Sequence, residues 1–163
     1  PRVKSHLLNL LNDSSANLVT TMIDYYGLPS SFPGKKNKLP GPPLDNVTYM
    51  ESALESDISK QNFLAYYSLH EFEALLFSSP ATIASTFVDT AKEAQLTTIR
   101  NRFESPEHIN NHPKSCPSFR IASIFPNYQK RLHGGLIARR TGLTMIRKEC
   151  NHFNSWLQKL ESA

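Results

Sequence analysis

Cysteine and long apolar runs are scarce in this sequence. Its 163 residues include two cysteines, Cys116 and Cys150, whose separation matches no metal-binding cluster. A disulfide framework is therefore excluded, and we expect reduced thiols in a cytoplasmic protein. Because no apolar stretch is long enough to cross a bilayer and no signal peptide is recognisable, we expect no membrane partner. A chain of this length suits one domain with a core of its own.

Glycine is also scarce, and it clusters with proline in one segment. Three of the six glycines and five of the eleven prolines lie in Tyr25–Leu44. This composition excludes a helix or a central strand there, and we expect Gly34–Pro43 to form a disordered, solvated loop. Three lysines in the segment, Lys35, Lys36 and Lys38, are a weak indication of phosphate contacts. The net charge of +4 permits a nucleic-acid partner without demonstrating one.

Two apolar segments predict strands of an α/β sheet. An apolar run rich in β-branched residues ends at Asp24, and Gly27 and Pro29 exclude a longer strand. The segment Asn62–Ser68 is the second predicted strand. Ligands of such sheets gather outside the carboxyl ends of the strands. Asp24 is therefore a candidate for chemistry, with the alternative that it caps the following turn.

Apolar residues at helical spacing predict helices in most of the remaining chain. Together with the strands they indicate an α/β fold, in which a small, mostly parallel sheet is flanked by helices and the C-terminal half is helical. We expect a single domain, with an α/β core at residues 1–78 and a helical extension packed on it at residues 79–163. Because the first helix would feed a buried strand as half of a crossover, we expect the strand before it to be missing from this sequence. The predicted helices are Arg2–Asp13, Asp45–Ser59 with Asp45 as its cap, Glu71–Phe77, Ala81–Phe87, Ala91–Phe103, Ser118–Phe125, Tyr128–Leu132, Leu136–Arg140 after a break at the two preceding glycines, Leu143–Cys150 and His152–Glu161.

The segment Leu69–Phe77 places two glutamates among apolar residues. On a helical wheel, Glu71 and Glu73 are embedded in an apolar surface rather than segregated on a polar face. A buried carboxylate needs a partner, because its isolated burial costs several kcal/mol. The partner is either an arginine or lysine inside the fold, or a metal ion or catalytic group. His70 could serve as a general base or ligand, although a lone histidine is more often structural.

The acids that follow the two strands could share a site. If the strands are parallel neighbours, Asp24 and Glu71 open onto the same edge of the sheet. Oxygen-rich sites of this kind hold Mg²⁺ or Mn²⁺ and suit phosphoryl chemistry. The sequence therefore makes Asp24 and Glu71 candidate metal ligands.

Basic residues crowd the segment Ser118–Arg140. Arginine or lysine near the start of a helix binds phosphate well, and we single out Arg120 and Lys130 for this role. They could equally be the buried partners of Glu71 and Glu73. The basic residues of the segment are Arg120, Lys130, Arg131, His133, Arg139 and Arg140.

Five motifs occur in an order and spacing similar to those of a known family. They are VTTMIDYYGLP, LHEFEALLF, PEHIN with the following CPSFR, FPNYQKRLHGGLIA and CNHFNSWLQKLE. On these motifs, from about Leu18 to the C-terminus, the chain resembles the domain-of-unknown-function family 4276. Members of that family begin with a strand that carries a glutamate, which is absent here, and their arrangement is similar to that of Toprim domains.

The resemblance implies a metal-dependent nuclease or phosphodiesterase effector domain of a prokaryotic anti-phage system, found beside an ATPase of the ABC or AAA type. Carboxylates of Toprim domains hold Mg²⁺ for phosphodiester cleavage, which makes Asp24 and Glu71 the implied ligands of Mg²⁺ or Mn²⁺. Glu73 would be a further ligand or catalytic group, and His70 would be a general base or a ligand. Toprim domains usually carry Asp-x-Asp, whereas this chain lacks the second acid after Asp24, so Glu71 or Glu73 would have to replace it.

The basic residues have a role under both of the functions that we consider. In a nuclease, Arg120 and Lys130 would bind phosphate and stabilise developing charge. The alternative is a non-catalytic module that binds a partner ATPase or nucleic acid, in which Glu71 and Glu73 pair internally with these two cations. A small-molecule hydrolase that uses His70 lacks a nucleophile motif and ranks last.

Overall fold

The computed structural model describes residues 2–37, 39–109, 112 and 114–163. The chain forms an α/β fold with short parallel strands flanked by helices and a helical C-terminal half. No helix in these ranges is both long and apolar enough to cross a membrane. The helices are α1 (Arg2–Leu11), α2 (Pro43–Ile58), α3 (Glu73–Leu76), α4 (Pro80–Thr86), α5 (Glu93–Arg100), α6 (Pro117–Ile124), α7 (Gly135–Thr141), α8 (Leu143–Glu149) and α9 (Asn151–Glu161), and the strands are β1 (Val19–Thr20), β2 (Ile23–Asp24), β3 (Phe63–Leu64) and β4 (Tyr67–Ser68).

The chain divides into two compact units. Unit 1 consists of the residues up to Leu69 together with Trp156–Ala163, and unit 2 is His70–Ser155. All four strands belong to unit 1. Glu71, Glu73, Arg120 and Lys130 belong to unit 2.

The strands of unit 1 pair in parallel, as the sequence predicts, but each predicted strand is split in two. Val19 pairs with Phe63 in β1 and β3, and Ile23 pairs with Tyr67 in β2 and β4. Between the pairs, the hydroxyl of Thr21 accepts the Tyr66 N–H at 3.0 Å and lies 3.3 Å from the Tyr66 carbonyl oxygen. A side-chain hydroxyl therefore takes a place in the ladder that a backbone group would fill in a continuous strand.

Side chains of α2 form hydrogen bonds with the outer edge of the segment that carries β3 and β4. Glu55 accepts the N–H of Ala65 and Glu51 accepts the N–H of Tyr67, each at 3.0 Å. Since an uncovered strand edge is a site of unwanted pairing, these two carboxylates protect it. The apolar core of the unit consists of Leu7, Leu11, Val19, Val47, Met50, Leu54, Ile58, Phe63, Ala65, Tyr67 and Leu69.

Part of the proline-rich segment packs against α2, and the described residues 36, 37 and 39–43 are exposed, in agreement with a solvated loop, whereas its predicted disorder stays a prediction. Gly34 has a φ of 77°, and a Cβ at this position would lie 3.0 Å from the Cβ of Ala53. The backbone N–H and carbonyl of Leu39 bond to the Asn46 side chain at 2.7 and 3.1 Å. The close approach of Gly34 to α2 and the two hydrogen bonds between Leu39 and Asn46 thus hold parts of the segment against this helix. Lys38 lies outside the described residues.

Two helix predictions are corrected by packing. Asp45 does not cap α2, because the helix begins at Pro43, where the missing proline N–H costs nothing. The glycine pair does not break the chain, since a π-helical turn at Lys130–Gly134 runs directly into α7 at Gly135. Ile137 of α7 is fully buried, and this burial outweighs the low helix propensity of glycine, about 1 kcal/mol per residue.

Unit 2 has an apolar core of its own, in which Phe87 stacks on Phe125 with ring centroids 4.2 Å apart. Its buried residues are Leu76, Phe77, Ile83, Ala84, Leu96, Ile109, Ile121, Phe125 and Ile137. Helix α4 ends at this core in a Schellman motif, in which the Asp89 N–H bonds to the Ala84 carbonyl at 3.2 Å. The left-handed residue of the motif is Val88, with a φ of 56° and 92% exposure.

A β-branched residue is strained at a left-handed position, by about 1–2 kcal/mol relative to residues that tolerate it. We therefore expect Val88→Asn to raise the free energy of unfolding by about 1 kcal/mol in urea titrations, because asparagine accepts this φ and the exposed valine loses little burial. The control is Ala91→Asn, at an exposed position outside the motif. A Val88→Asn protein no more stable than the control would contradict the assignment of strain.

Candidate functional site: two glutamates at Lys130

Glu71 joins the segment after β4 to the start of α6. Its Oε2 accepts the backbone N–H of Ser118 at 3.0 Å, and its Oε1 accepts the Ser118 hydroxyl at 3.1 Å. Helix α6 begins at Pro117, so Ser118 carries one of the N–H groups that the helix itself leaves unpaired. A carboxylate at this end also interacts favourably with the helix dipole. Glu71 therefore caps α6 from a distant part of the sequence.

Lys130 bridges the two glutamates. Its Nζ lies 3.4 Å from Oε1 of Glu71 and 3.3 Å from Oε1 of Glu73. The Tyr128 hydroxyl donates to the same oxygen of Glu73 at 3.3 Å. The glutamate side chains are 10% and 5% exposed, whereas that of Lys130 is 54% exposed. One cation at the surface thus pairs with two buried acids, and of the alternatives left open by the sequence the lysine partner is present.

The surroundings favour the charged forms of Glu71 and Lys130 and the neutral form of Tyr128. Burial opposes ionisation of Glu71, but the Ser118 amide and hydroxyl and the Lys130 ammonium outweigh it, and the pKa of Glu71 lies below its ordinary value. Burial alone would lower the pKa of Lys130, yet the carboxylates of Glu73 and Glu71 raise it. Burial and the charge of Glu73 raise the pKa of Tyr128. Lys130 therefore stays protonated at neutral pH, which excludes it as a base or amine nucleophile.

The cluster does not fit a divalent cation as it stands. The oxygens of Glu71 already lie against three donor groups, and an ion between the glutamates would meet the ammonium of Lys130. Across the described residues, no group of three or more histidine, cysteine, aspartate or glutamate side chains is placed to hold a metal. Asp24 lies in unit 1 at the end of β2, paired in register with Ser68. A site for Mg²⁺ or Mn²⁺ shared by Asp24 and Glu71 stays a prediction.

His70 is buried beside the cluster as a neutral imidazole. It is 6% exposed, and burial together with His108 lowers its pKa to about 4. Within the part of the chain that the structure describes, no hydrogen-bond partner reaches its Nδ1. A group with this pKa is a weak base at neutral pH. The environment of His70 is thus better suited to a packed core residue than to proton transfer.

Arg120, the other cation singled out from the sequence, contacts a different set of groups. Its guanidinium lies 5.5 Å from the centroid of the Phe103 ring, and its Nε donates to the Ser115 carbonyl. Burial, reinforced by Arg102, lowers the pKa of Arg120. Phosphate binding by Arg120 and Lys130 stays a prediction.

Sequence reasoning missed three members of the buried polar network. Ser118 and Tyr128 contact Glu71 and Glu73, and Glu107 accepts the N–H groups of His152 and Phe153 at the start of α9, both at 3.0 Å. The Cys-Pro-Ser start of α6 is the one sequence feature that points to Ser118 as a residue with an unpaired N–H. Within the proline-rich segment Ser105–Ser118 the sequence predicts one turn, at Glu107–Asn110. The structure has a 3-10 turn at Pro106–His108, and Asn110 lies outside the described residues.

One comparison with known proteins gives a match. A family model described as a domain of unknown function (DUF4276) matches residues 1–161. No curated protein and no solved structure matches the chain.

The cap that Glu71 supplies to α6 should be measurable as stability. We expect Glu71→Gln to lower the free energy of unfolding by about 1–3 kcal/mol at pH 7, because a neutral amide replaces charge-assisted bonds. Since the pKa of Glu71 is lowered in the folded protein, this stabilisation is present above the unfolded pKa of about 4.5 and is lost as the pH falls through the folded value. Exposed Glu104→Gln is the matched control, and an equal loss in both variants would contradict a specific cap.

His70 should make the protein less stable in mild acid. Its folded pKa of about 4 lies below the ordinary 6.5, so the unfolded chain binds the proton more readily as the pH falls through this range. We expect the free energy of unfolding to drop by about 3 kcal/mol between pH 6.5 and 4 from this residue. His70→Gln should flatten the profile in urea titrations, and His112→Gln, which keeps His70, should not. A profile unchanged by His70→Gln would refute this assignment.

Proposed function

The chain belongs to the DUF4276 family, whose description names no activity, and we propose that it is a non-catalytic module that binds an acidic partner through unit 2. The observation that supports this proposal is the opposite disposition of the two kinds of charge in that unit. Most of its acids have partners within the unit, whereas many of its basic side chains are exposed.

The positive charge of the protein resides in unit 2. This unit contains eleven lysine and arginine residues against seven acids, and the rest of the chain contains seven of each. Between Glu107 and Glu149 there are eight basic residues and no acid. The net charge of +4 thus belongs to one unit, and most of its basic residues lie in one acid-free stretch. Concentrated charge of one sign attracts partners of the opposite sign.

The acids of unit 2 are largely satisfied within it. Glu71 and Glu73 lie at Lys130, and Glu107 is 4% exposed at the start of α9. Glu149 pairs with Arg100 at 2.9 Å. Basic residues of the same unit that are exposed are Arg102, Lys114, Lys130, Arg131, Arg139, Arg140 and Lys148.

The metal-dependent nuclease implied by the resemblance is the competing function. It would use Asp24 and Glu71 as ligands of the ion, with Glu73 as a further ligand, and both glutamates accept hydrogen bonds and pair with Lys130. An ion between the glutamates would compete with the ammonium of Lys130. The binding module needs no such rearrangement, and for this reason we favour it.

The proposal predicts that binding of acidic molecules depends on the exposed arginines of α7. We expect the full chain to bind a fluorescently labelled 20-residue polyglutamate or a 20-nucleotide DNA in anisotropy titrations, more weakly as salt rises. Arg139→Glu with Arg140→Glu should weaken this binding at least tenfold. Lys36→Glu with Lys60→Glu makes the same charge change at exposed positions of unit 1 and should have a smaller effect. Equal effects of the two pairs, or no binding of either probe, would contradict the proposal.

A cleavage assay separates the module from the nuclease. The full chain is incubated with DNA and RNA in Mg²⁺ or Mn²⁺, beside Asp24→Ala and Glu71→Ala variants whose folding is checked by circular dichroism. We expect no cleavage that depends on these side chains. Metal-dependent cleavage lost in both folded variants would establish the nuclease and overturn the module.

A further inference from the structure

The acid-free stretch also exposes aliphatic side chains. Leu132, Leu136, Leu143 and Met145 are 60%, 41%, 52% and 40% exposed. These four residues lie between positions 130 and 148, where Lys130, Arg131, Arg139, Arg140 and Lys148 are also exposed. Single exposed apolar side chains are ordinary, but a concentration of them in one short region marks a contact surface.

Helix geometry places part of this set on one face. The π-helical turn at Lys130–Gly134 continues into α7, so Leu132 and Leu136 are about one turn apart. Leu136 and Arg140 are likewise four residues apart and are neighbours on the helix surface. Ile137 is fully buried and marks the inward side of α7. Arg140 also donates to the Thr86 hydroxyl at 3.2 Å, which steadies its side chain at the surface.

We infer that this basic–apolar surface, formed by Leu132, Leu136, Arg139 and Arg140, docks a protein segment that carries acidic side chains beside an apolar stripe, as an acidic amphipathic helix does. The inference rests on the proposed function and narrows the acidic partner to a protein. Acids of the segment pair with the two arginines, and its apolar stripe covers the leucines. In contacts of this kind, apolar residues at helical spacing on the bound helix are its anchors.

The aliphatic character of the surface is what favours a protein over nucleic acid. Phosphates would pair with Arg139 and Arg140 but would gain nothing from Leu132 or Leu136. Single-stranded nucleic acids are bound through aromatic rings on which bases stack, and the exposed apolar residues here are leucine and methionine. An anionic bilayer is disfavoured because α7 has seven residues and Gly142, with a φ of 79°, separates it from α8.

The test uses a displayed library of random 16-residue peptides, selected on the immobilised full chain. We expect the selected peptides to be enriched in Asp and Glu, with apolar residues spaced three or four apart. Leu132→Ser with Leu136→Ser should weaken binding of the synthesised peptides at least tenfold, and so should Arg139→Glu with Arg140→Glu. Val88→Ser removes an exposed apolar side chain of the same unit outside the surface and should leave affinity unchanged. Thermal melts by circular dichroism confirm that the variants fold.

The remaining outcomes separate this inference from the proposed function. If acidic probes depend on the arginine pair but not on the leucine pair, the partner is recognised by charge alone, and the inference falls while the proposed function stands. Tighter leucine-independent binding of a 20-nucleotide DNA, or of phosphatidylserine vesicles, than of any selected peptide would point to that partner and overturn the inference. If no acidic probe depends on the arginines, both proposals fail.

Discussion

Glutamate side chains that accept backbone N–H groups are the interaction on which both units depend. Helix starts and strand edges leave N–H groups unpaired, and each needs an acceptor. Here the acceptors come from far along the chain: Glu71 serves the start of α6 and Glu107 the start of α9. In unit 1, Glu51 and Glu55 accept N–H groups at the edge of the segment that carries β3 and β4. A carboxylate used in this way fixes the segment that carries it and the segment that it caps, so a few ionic hydrogen bonds set much of the tertiary arrangement.

The burial of two acids could be predicted from sequence, but their partners could not. Apolar residues surround Glu71 and Glu73 on any helical wheel, and burial then requires a compensating group. The choice among lysine, arginine and metal depends on residues more than 40 positions away, and no spacing rule links Glu71 to Ser118. The two strand segments could be predicted from their apolar runs, whereas the split at Thr21 depends on a single hydroxyl that replaces a backbone group of the ladder. Sequence patterns thus predict which residues need a partner, whereas the partner depends on which distant residues the fold brings near them.

The same lysine bears on the two functions in opposite ways. A phosphate-binding cation must be free to approach a ligand, whereas Lys130 is drawn toward two carboxylates that raise its pKa and hold its ammonium. Displacing it would leave two acids close together in a largely buried place, where like charges are costly. A divalent cation could repay that cost only by bringing more charge than the ammonium does and by finding further oxygen ligands. The pair of glutamates is therefore stabilised as it stands by Lys130, and metal binding there would require the loss of this ion pair and additional oxygen ligands.

The internal pairing of acids in unit 2 leaves an excess of basic residues at its surface. Each carboxylate that binds an internal amide or cation is removed from the exterior, and the excess of basic residues is left facing solvent. Lysine and arginine alone would suit any polyanion, because electrostatic attraction is indifferent to the nature of the partner. Discrimination comes from the apolar side chains between them, since their burial is favourable only against another apolar surface. Leu132 and Leu136 beside Arg139 and Arg140 thus convert a general preference for negative charge into a preference for a protein that offers both acids and apolar contacts.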